Sequence, residues 1–208
     1  MGWFSWGKPA HPANIEAPED LIWLNDRARI NAIRRAIADY AATANSELPL
    51  ILVGHFPAML AALRQLGDER AWGVRILICQ ANEFFHVLRN EASSNGAVVE
   101  VIVAERHLSP VHDDRLLEDA GRLPMRLRVT HHLSFDDPVI RLFSKRWTPS
   151  ILAALGLNET EPITSKSASK ARRRAQQKLA KAIAGDLPAE SAEEWGRLNA
   201  PLAWKERL

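Results

Sequence analysis

The sequence predicts an α/β protein, a three-layer sandwich around a mainly parallel sheet, with a C-terminal helical extension. Four short apolar runs alternate with helical patterns between residues 20 and 146. Runs of this kind are typical of strands that are buried on both faces of a parallel sheet. From residue 147 to residue 208 only helical patterns follow. Strand–helix alternation of this type favours right-handed crossovers, with helices covering both faces of the sheet.

The four predicted strands are short and bounded by polar or turn residues. They are "LPLILVG" at 48–54, "VRILIC" at 74–79, "AVVEVIVA" at 97–104 and "RLRVTHHLS" at 126–134. The fourth run alternates, so Val129, His131 and Leu133 share one face while His132 points to the other.

Helical patterns occupy the intervals between these runs. Helices are predicted over 25–44, 57–67, 82–92 and 109–124. Pro57 and Gly67 are typical first and last residues of the second helix. Ser109 is the expected cap of the fourth helix, and Gly121 its expected end.

Both ends of the chain differ from this central part. Residues 1–19 contain Trp and Pro and no helical period, so an irregular tail is expected there. Beyond a boundary near residue 146, short helices are expected at 138–143 and 148–156. A long basic helix at 165–184 and a final helix at 186–199 complete the prediction. The basic helix contains seven Lys or Arg residues and no acid.

Bulk composition sets limits on the class of protein. The chain has 208 residues, 47% of them hydrophobic, and a net charge of +2, so it can bury a core without a dominant surface charge. Cys79 is the single cysteine and lies in an apolar run, which predicts a buried thiol and no internal disulfide. No apolar window is long enough to cross a membrane, and no secretory signal is evident. These features predict a cytoplasmic protein.

Metal and nucleophilic chemistry have little support in the sequence. His107, His112, Asp113, His131 and His132 are suitable ligand types, but their spacing matches no metal motif. We therefore expect no metal, with one histidine hydrogen-bonded in or near the core and the others in solvent. The neighbouring carboxylates at 136–137 are expected to cap the helix that follows them.

Phosphate binding is also disfavoured. The segment 53–60 follows a strand and opens a helix, which is where a phosphate loop would lie. It carries a single glycine, no lysine and the bulky Phe56. We expect no catalytic residue, no cofactor and no independent binding of ATP.

Two segments are candidates for contacts with a partner. The candidate residues are Trp3, Phe4, Trp6, Lys170, Arg172, Arg173 and Arg174. The aromatic residues either fold back on the domain or touch a protein or a bilayer surface. The basic helix either packs an alanine-rich stripe on the domain, with its cations in water, or attracts an anionic surface. Nucleic acid is disfavoured because no aromatic residues are interleaved for base stacking.

Several strings, in order, resemble the second nucleotide-binding domain of SecA, the motor ATPase of the bacterial preprotein translocase. They are "DLIWLNDRARINAIRRAI", "PLILVG", "VIVAERH", "DDRLLEDAGR", "HLSFDDPVIRLF", "LAALGLNETEPI" and "KARRRAQQKLAKAI". The similarity covers roughly residues 20–184. It implies a RecA-like domain over 20–146 and a helical extension over 147–208.

Departures from the family pattern decide what the resemblance implies for function. Asp119 occupies the first arginine position of the family's arginine motif and Arg122 the second, while Glu118 and Pro124 replace its glycines. The resemblance therefore implies a degenerate, non-catalytic domain that binds a protein, either a translocase component or a larger assembly at the inner face of the membrane. One alternative is an ATPase completed in trans, with Arg122 acting on nucleotide held by another chain. Another is an anionic-surface binder that acts through the basic helix.

The charged segment 104–115 is expected to serve structural ends. Glu105 and Arg106 are expected to form an ion pair in the turn after the third strand. Asp113 and Asp114 are expected to lie near the positive end of the following helix.

Overall fold

The computed structural model describes residues 12–43, 48–91, 98–142, 144 and 158–205. Within these residues the strands are β1 (Ile15–Glu16), β2 (Leu21–Trp23), β3 (Leu50–Gly54), β4 (Ile76–Gln80), β5 (Val98–Val103), β6 (Arg126–Ser134) and β7 (Ile163–Thr164). The helices are α1 (Asp26–Thr43), α2 (Pro57–Asp68), α3 (Phe84–Asn90), α4 (Pro110–Ala120), α5 (Pro138–Arg141), α6 (Lys166–Ala180), α7 (Ala192–Asn199) and α8 (Pro201–Lys205).

The described strands form one mainly parallel sheet, as the sequence predicts. Its order is β4-β3-β5-β6-β2-β7, and β1 also pairs with β6. Every pair is parallel except β2 with β7, which is antiparallel. On the edge of β6 opposite β5, β1 pairs with Leu127 and Arg128, and β2 pairs with 132–134.

Side chains of β3 alternate between two cores, which gives the three layers. Ile51 and Val53 pack in a cluster with residues of α3 and α4. Leu50 and Leu52 pack on the other face with residues of α1 and α2. Since all four side chains are buried, the sheet is covered on both sides, and the predicted sandwich is confirmed.

A third core joins the C-terminal helices to the sheet. It contains Ile22 of β2, Leu133 of β6 and Leu179 of α6, together with Trp195 and Trp204 from α7 and α8. Side-chain oxygens cap two of these helices: Ser165 accepts from the amide of residue 168, and Ser191 from that of residue 194. The helical extension therefore packs directly on the α/β layers.

Several local expectations differ from the structure. The hydroxyl of Ser109 and the carboxylate of Asp137 occupy cap positions, yet neither forms a side-chain cap bond. Helix α2 continues one residue past Gly67. The sheet includes residues from both sides of the boundaries at 19 and 146, because β1 and β7 belong to it. The helix predicted at 148–156 lies outside the described residues.

Candidate functional site

The carboxyl ends of the parallel strands carry the largest group of buried polar side chains. Ligand sites in open α/β sheets form at this edge, outside the strand ends. Here the turn after β3, the segment after β5 and the segment after β6 meet the N-terminal half of α1 and helix α6. The buried polar residues along this edge are Asp20, Arg29, His55, Glu105, His107, Asp113, Asp137, Arg172 and Gln176.

Glu105 fills the place where a phosphate would sit in a phosphate-binding turn. One carboxylate oxygen accepts the backbone amides of His55 and Phe56, each at 2.9 Å. The next free amide of the turn, that of Ala58, donates to the carbonyl of Glu190 at 2.9 Å. Burial raises the pKa of Glu105 to about 7. The expected ion pair with Arg106 is not formed, because Glu105 points into the turn and caps it instead.

Arg106 belongs to a different buried group, which also contains Asp20, Asp113 and Arg172. Asp20 accepts from Arg106 and from Arg172, each at 2.7 Å. The second carboxylate, Asp113, lies 3.7 Å from both guanidinium groups. Burial alone would raise the pKa of Asp20, but the charges of Arg106 and Arg172 hold it well below its ordinary value. Two carboxylates and two guanidiniums thus balance each other, and we call these four residues the buried quartet.

Asp113 also organises the histidines and α6. It accepts from the backbone amide of His107 at 2.8 Å and from Gln176 at 2.7 Å, and His55 Nε2 lies 3.2 Å from it. Gln176 donates to the carbonyl of His107 as well, at 2.6 Å. The His107 ring lies against Phe56, and burial lowers its pKa to about 2. Asp113 is therefore a hub of the core and not a surface charge at a helix end.

The histidines are more buried than the sequence predicts. His107, His131 and His132 are buried, as is His55, which was not among the candidates from the sequence, whereas His112 is half-exposed. Burial lowers the pKa of His132 to about 4. Within the described residues, no group of three or more His, Cys, Asp or Glu side chains is placed to hold a metal ion.

A cleft of about 330 Å³ opens beside Glu105. Its apolar wall includes Phe56 and Met59, and its polar lining comes from α1, the β6–α5 turn and the start of α7. The polar lining residues are Asp26, Arg29, Glu105, Asp136, Asp137, Ser191 and Glu193. Arg29 donates to Asp137 at 2.6 Å. Asp136 accepts the amide of Asp26 at 2.9 Å, so it caps α1 and not the helix that follows it. Carboxylates outnumber the one arginine in this lining, which makes the cleft acidic.

Arg122 lies away from this edge. It follows α4 and precedes β6, so it sits where strands begin, at the opposite end of the sheet. Its side chain is 72% exposed and forms a 3.0 Å ion pair with Asp119. Asp119, at the first arginine position of the SecA motif, thus neutralises the charge of Arg122 at the second position.

The candidate partner residues of α6 have different surroundings. Arg172 is buried in the quartet, because it lies on the same helical face as the core residues Ala175 and Leu179. Arg173 pairs with Asp114 at 2.5 Å. Lys170 and Arg174 are exposed. Arg172 is therefore a core residue and is not available to a surface partner. The remaining candidates, Trp3, Phe4 and Trp6, lie outside the described residues.

Sequence reasoning missed Asp20, His55 and Gln176 as members of this site. Asp20 directly precedes β2, and Gln176 lies among the buried positions of α6. The spacing of Arg172, Ala175, Gln176 and Leu179 was a signal for one buried face that includes two polar residues.

The fold and the site define an α/β domain whose strand-end edge is closed by its own ion pairs. No family model matches the chain. Several SecA translocase subunits are similar to part of the chain. The subunit of Chromohalobacter salexigens is 32% identical over 130 residues, 62% of this chain and 13% of that protein. That of Koribacter versatilis is 35% identical over 77 residues, 37% of this chain and 8% of that protein. That of Clostridium perfringens is 33% identical over 81 residues, 39% of this chain and 10% of that protein.

Part of the chain is thus SecA-like in sequence, and the chain spans roughly a tenth of the length of these relatives, 8% to 13%. Among solved structures, the C-terminal part of the Fun30 ATPase domain is similar at a TM-score of 0.37 and 12% identity, over 74% of this chain and 54% of that chain. A likeness of this degree does not distinguish one α/β fold from another. Among the described helices, none combines the length and apolar character needed to cross a bilayer.

Proposed function

We propose that this chain is a non-catalytic, RecA-like domain of SecA type that acts as a protein-interaction module in a translocation-related or other membrane-associated assembly. The observation that carries the proposal is the occupied turn after β3. Glu105 and the carbonyl of Glu190 already accept the turn amides that a phosphate would need. A nucleotide would have to displace a buried carboxylate from two hydrogen bonds.

Charge at the same edge supports the proposal. Arg29 and Arg172 are buried, the side chain of Arg106 is 10% exposed, and each of the three is paired with a carboxylate. The adjoining cleft is lined by the carboxylates of Asp26, Asp136 and Glu193, among others. Because phosphate groups are repelled by carboxylates and need unpaired cations or free amides, this edge does not favour a nucleotide.

Sequence similarity to SecA translocase subunits supports the proposed role in a translocation-related assembly. The matched segments are shared with a translocase subunit, and a domain that keeps its layered core retains surfaces for meeting other proteins.

Titration of the full chain with ATP and Mg²⁺ tests the non-catalytic part. We expect no saturable heat in calorimetry at millimolar ATP and no release of phosphate above a protein-free blank. Micromolar binding or measurable turnover would overturn the proposal. Co-purification from native cells, quantified by mass spectrometry, tests the proposed association with an assembly. We expect components of a translocase or of another membrane assembly to be enriched.

A second candidate function is completion of an ATPase in trans through Arg122. Its high exposure favours this reading, although Asp119 pairs with it. Arg115 provides a matched control, because it is equally exposed and lies 3.5 Å from the same aspartate. If the reading is right, Arg122→Ala abolishes the ATPase activity of a nucleotide-binding partner and Arg115→Ala does not. Equal ATPase activities of the partner with both variants would refute this second candidate function.

A further inference from the structure

Helix α6 carries a row of cations that the fold does not use. Lys166, Lys170, Arg174 and Lys178 follow each other at four-residue intervals, and Lys181 comes just after the helix. All five are exposed, and no hydrogen bond or ion pair joins their side chains to any described residue. By contrast, the two other arginines of the helix, at 172 and 173, are both in ion pairs. We call these five residues the α6 ridge.

The ridge has a defined spacing and runs obliquely across the outer face of α6, because each four-residue step advances about 40° around the helix axis. Residues four apart on a helix are separated by about 6 Å along its axis, so the ridge extends over roughly 22 Å. The buried face of α6, which includes Arg172, Ala175 and Leu179, lies on the opposite side. The helix is therefore anchored by its core face and presents the cations on a rigid support.

Carboxylates border the ridge and limit its width. Helix α6 packs against α4 and α5. On the α4 side, Asp114 pairs with Arg173, and Glu118 is exposed one turn further along. Asp186 is exposed just beyond the end of α6, and on α5 Arg141 is paired with Glu193. The positive surface is consequently about one helix wide.

On these grounds we infer that the α6 ridge docks an acidic segment of a partner protein, a helix or extended strand with carboxylates about 6 Å apart. This inference rests on the proposed function and names the chemistry of the partner. A helix with Glu or Asp at every fourth residue matches the ridge in spacing and in sign. Anionic membranes and nucleic-acid duplexes are wider than one helix and would meet the bordering carboxylates. The ridge also offers no aromatic residue on which single-stranded bases could stack.

The test measures binding of the full chain to a fluorescent acidic peptide with Glu at every fourth residue, by anisotropy. The triple variant Lys170→Gln, Arg174→Gln, Lys178→Gln removes three ridge charges. The control triple variant Arg64→Gln, Arg89→Gln, Arg126→Gln removes three exposed cations elsewhere. We expect the ridge variant to bind about tenfold more weakly and the control to bind as wild type does. Binding should also weaken between 50 and 200 mM salt because of screening, with a Debye length of about 10 Å at 0.1 M.

Other outcomes overturn the inference. Equal losses in both triple variants would mean that net charge, and not the ridge, attracts the peptide. Tighter binding to phosphatidylglycerol vesicles or to duplex RNA than to the peptide, lost in the ridge variant, would replace the acidic segment by that partner. Absence of peptide binding would refute the inference but would leave the proposal of a domain that binds no nucleotide intact. Binding of ATP would refute the proposed function without affecting the inference about the α6 ridge.

Discussion

Replacing Arg172 by methionine should destabilise the protein strongly, although the sequence of its helix, α6, is rich in Lys and Arg and predicts a solvent-exposed helix. Methionine retains most of the side-chain volume but removes one cation from the buried quartet. Asp20 and Asp113 would then face Arg106 alone, leaving one uncompensated carboxylate in the core. Gln176 would also lose its 2.7 Å bond with Arg172.

The size of the effect follows from burial. Removing one member of a buried ion pair costs about 3–5 kcal/mol. At roughly 2–4 °C per kcal/mol for a chain of this size, the melting temperature should fall by about 10 °C. Arg174→Met, two residues further along the same helix, removes an exposed and unpaired cation and should change the free energy of unfolding by less than about 0.5 kcal/mol.

Urea unfolding, followed by tryptophan fluorescence, measures both variants. Adding Asp20→Asn to Arg172→Met removes a negative charge from the same site, so the double variant should be less destabilised than the sum of the single changes, by about 2 kcal/mol. A cost below about 1 kcal/mol for Arg172→Met, or a cost equal to that of Arg174→Met, would refute the burial of Arg172 and with it the quartet.

Three further predictions concern other parts of the molecule. Burial raises the pKa of Glu105 from 4.5 to about 7, so the folded state retains a proton that the unfolded state loses. The free energy of unfolding should therefore fall as pH rises from about 4.5 through 7, and Glu105→Gln should remove about 3 kcal/mol of this fall in urea titrations at several pH values. Gly196→Ala places a Cβ 2.4 Å from the ring of Trp204, so it should lower stability by about 1–3 kcal/mol in thermal melts, whereas alanine in a free helix would raise it. Burial raises the pKa of the Cys79 thiol to about 12, so labelling by a thiol reagent at neutral pH should be slow in the folded protein and fast in urea.

Strands β3 to β6 could be predicted because each has at least five residues and an apolar pattern that is visible in the sequence. The predicted ends of β3 to β6 lie within two residues of the observed ends, since continuous apolar runs in β3 to β5 and an alternating run in β6 leave few alternatives. Strands β1, β2 and β7 contain two or three residues each, too few to show a period. Their positions depend on pairing with β6, or with β2 in the case of β7, and such tertiary contacts are not written in local sequence.

The site was harder to predict because charged residues are read as exposed. Asp20, Asp113 and Arg172 are buried only because they meet each other, and each alone would be assigned to solvent. Their partners lie far away in the sequence. Asp113 and Gln176, for example, are more than 60 residues apart in the chain. The helical period of α6 did indicate a buried face, but the charge of Arg172 concealed its membership of that face.

The distribution of paired and unpaired charge links the two proposals. At the strand-end edge, the buried arginines are matched by carboxylates and the turn amides by Glu105, so the groups that attract phosphate are satisfied within the chain. Helix α6 differs in this respect. Its inward cation, Arg172, is paired with a carboxylate, whereas the exposed cations of the α6 ridge are not paired with any described residue. Unpaired surface cations add little to folding stability. A row of them, opposite a buried face and bordered by acids, is better explained by contact with a narrow anionic partner than by the needs of the fold.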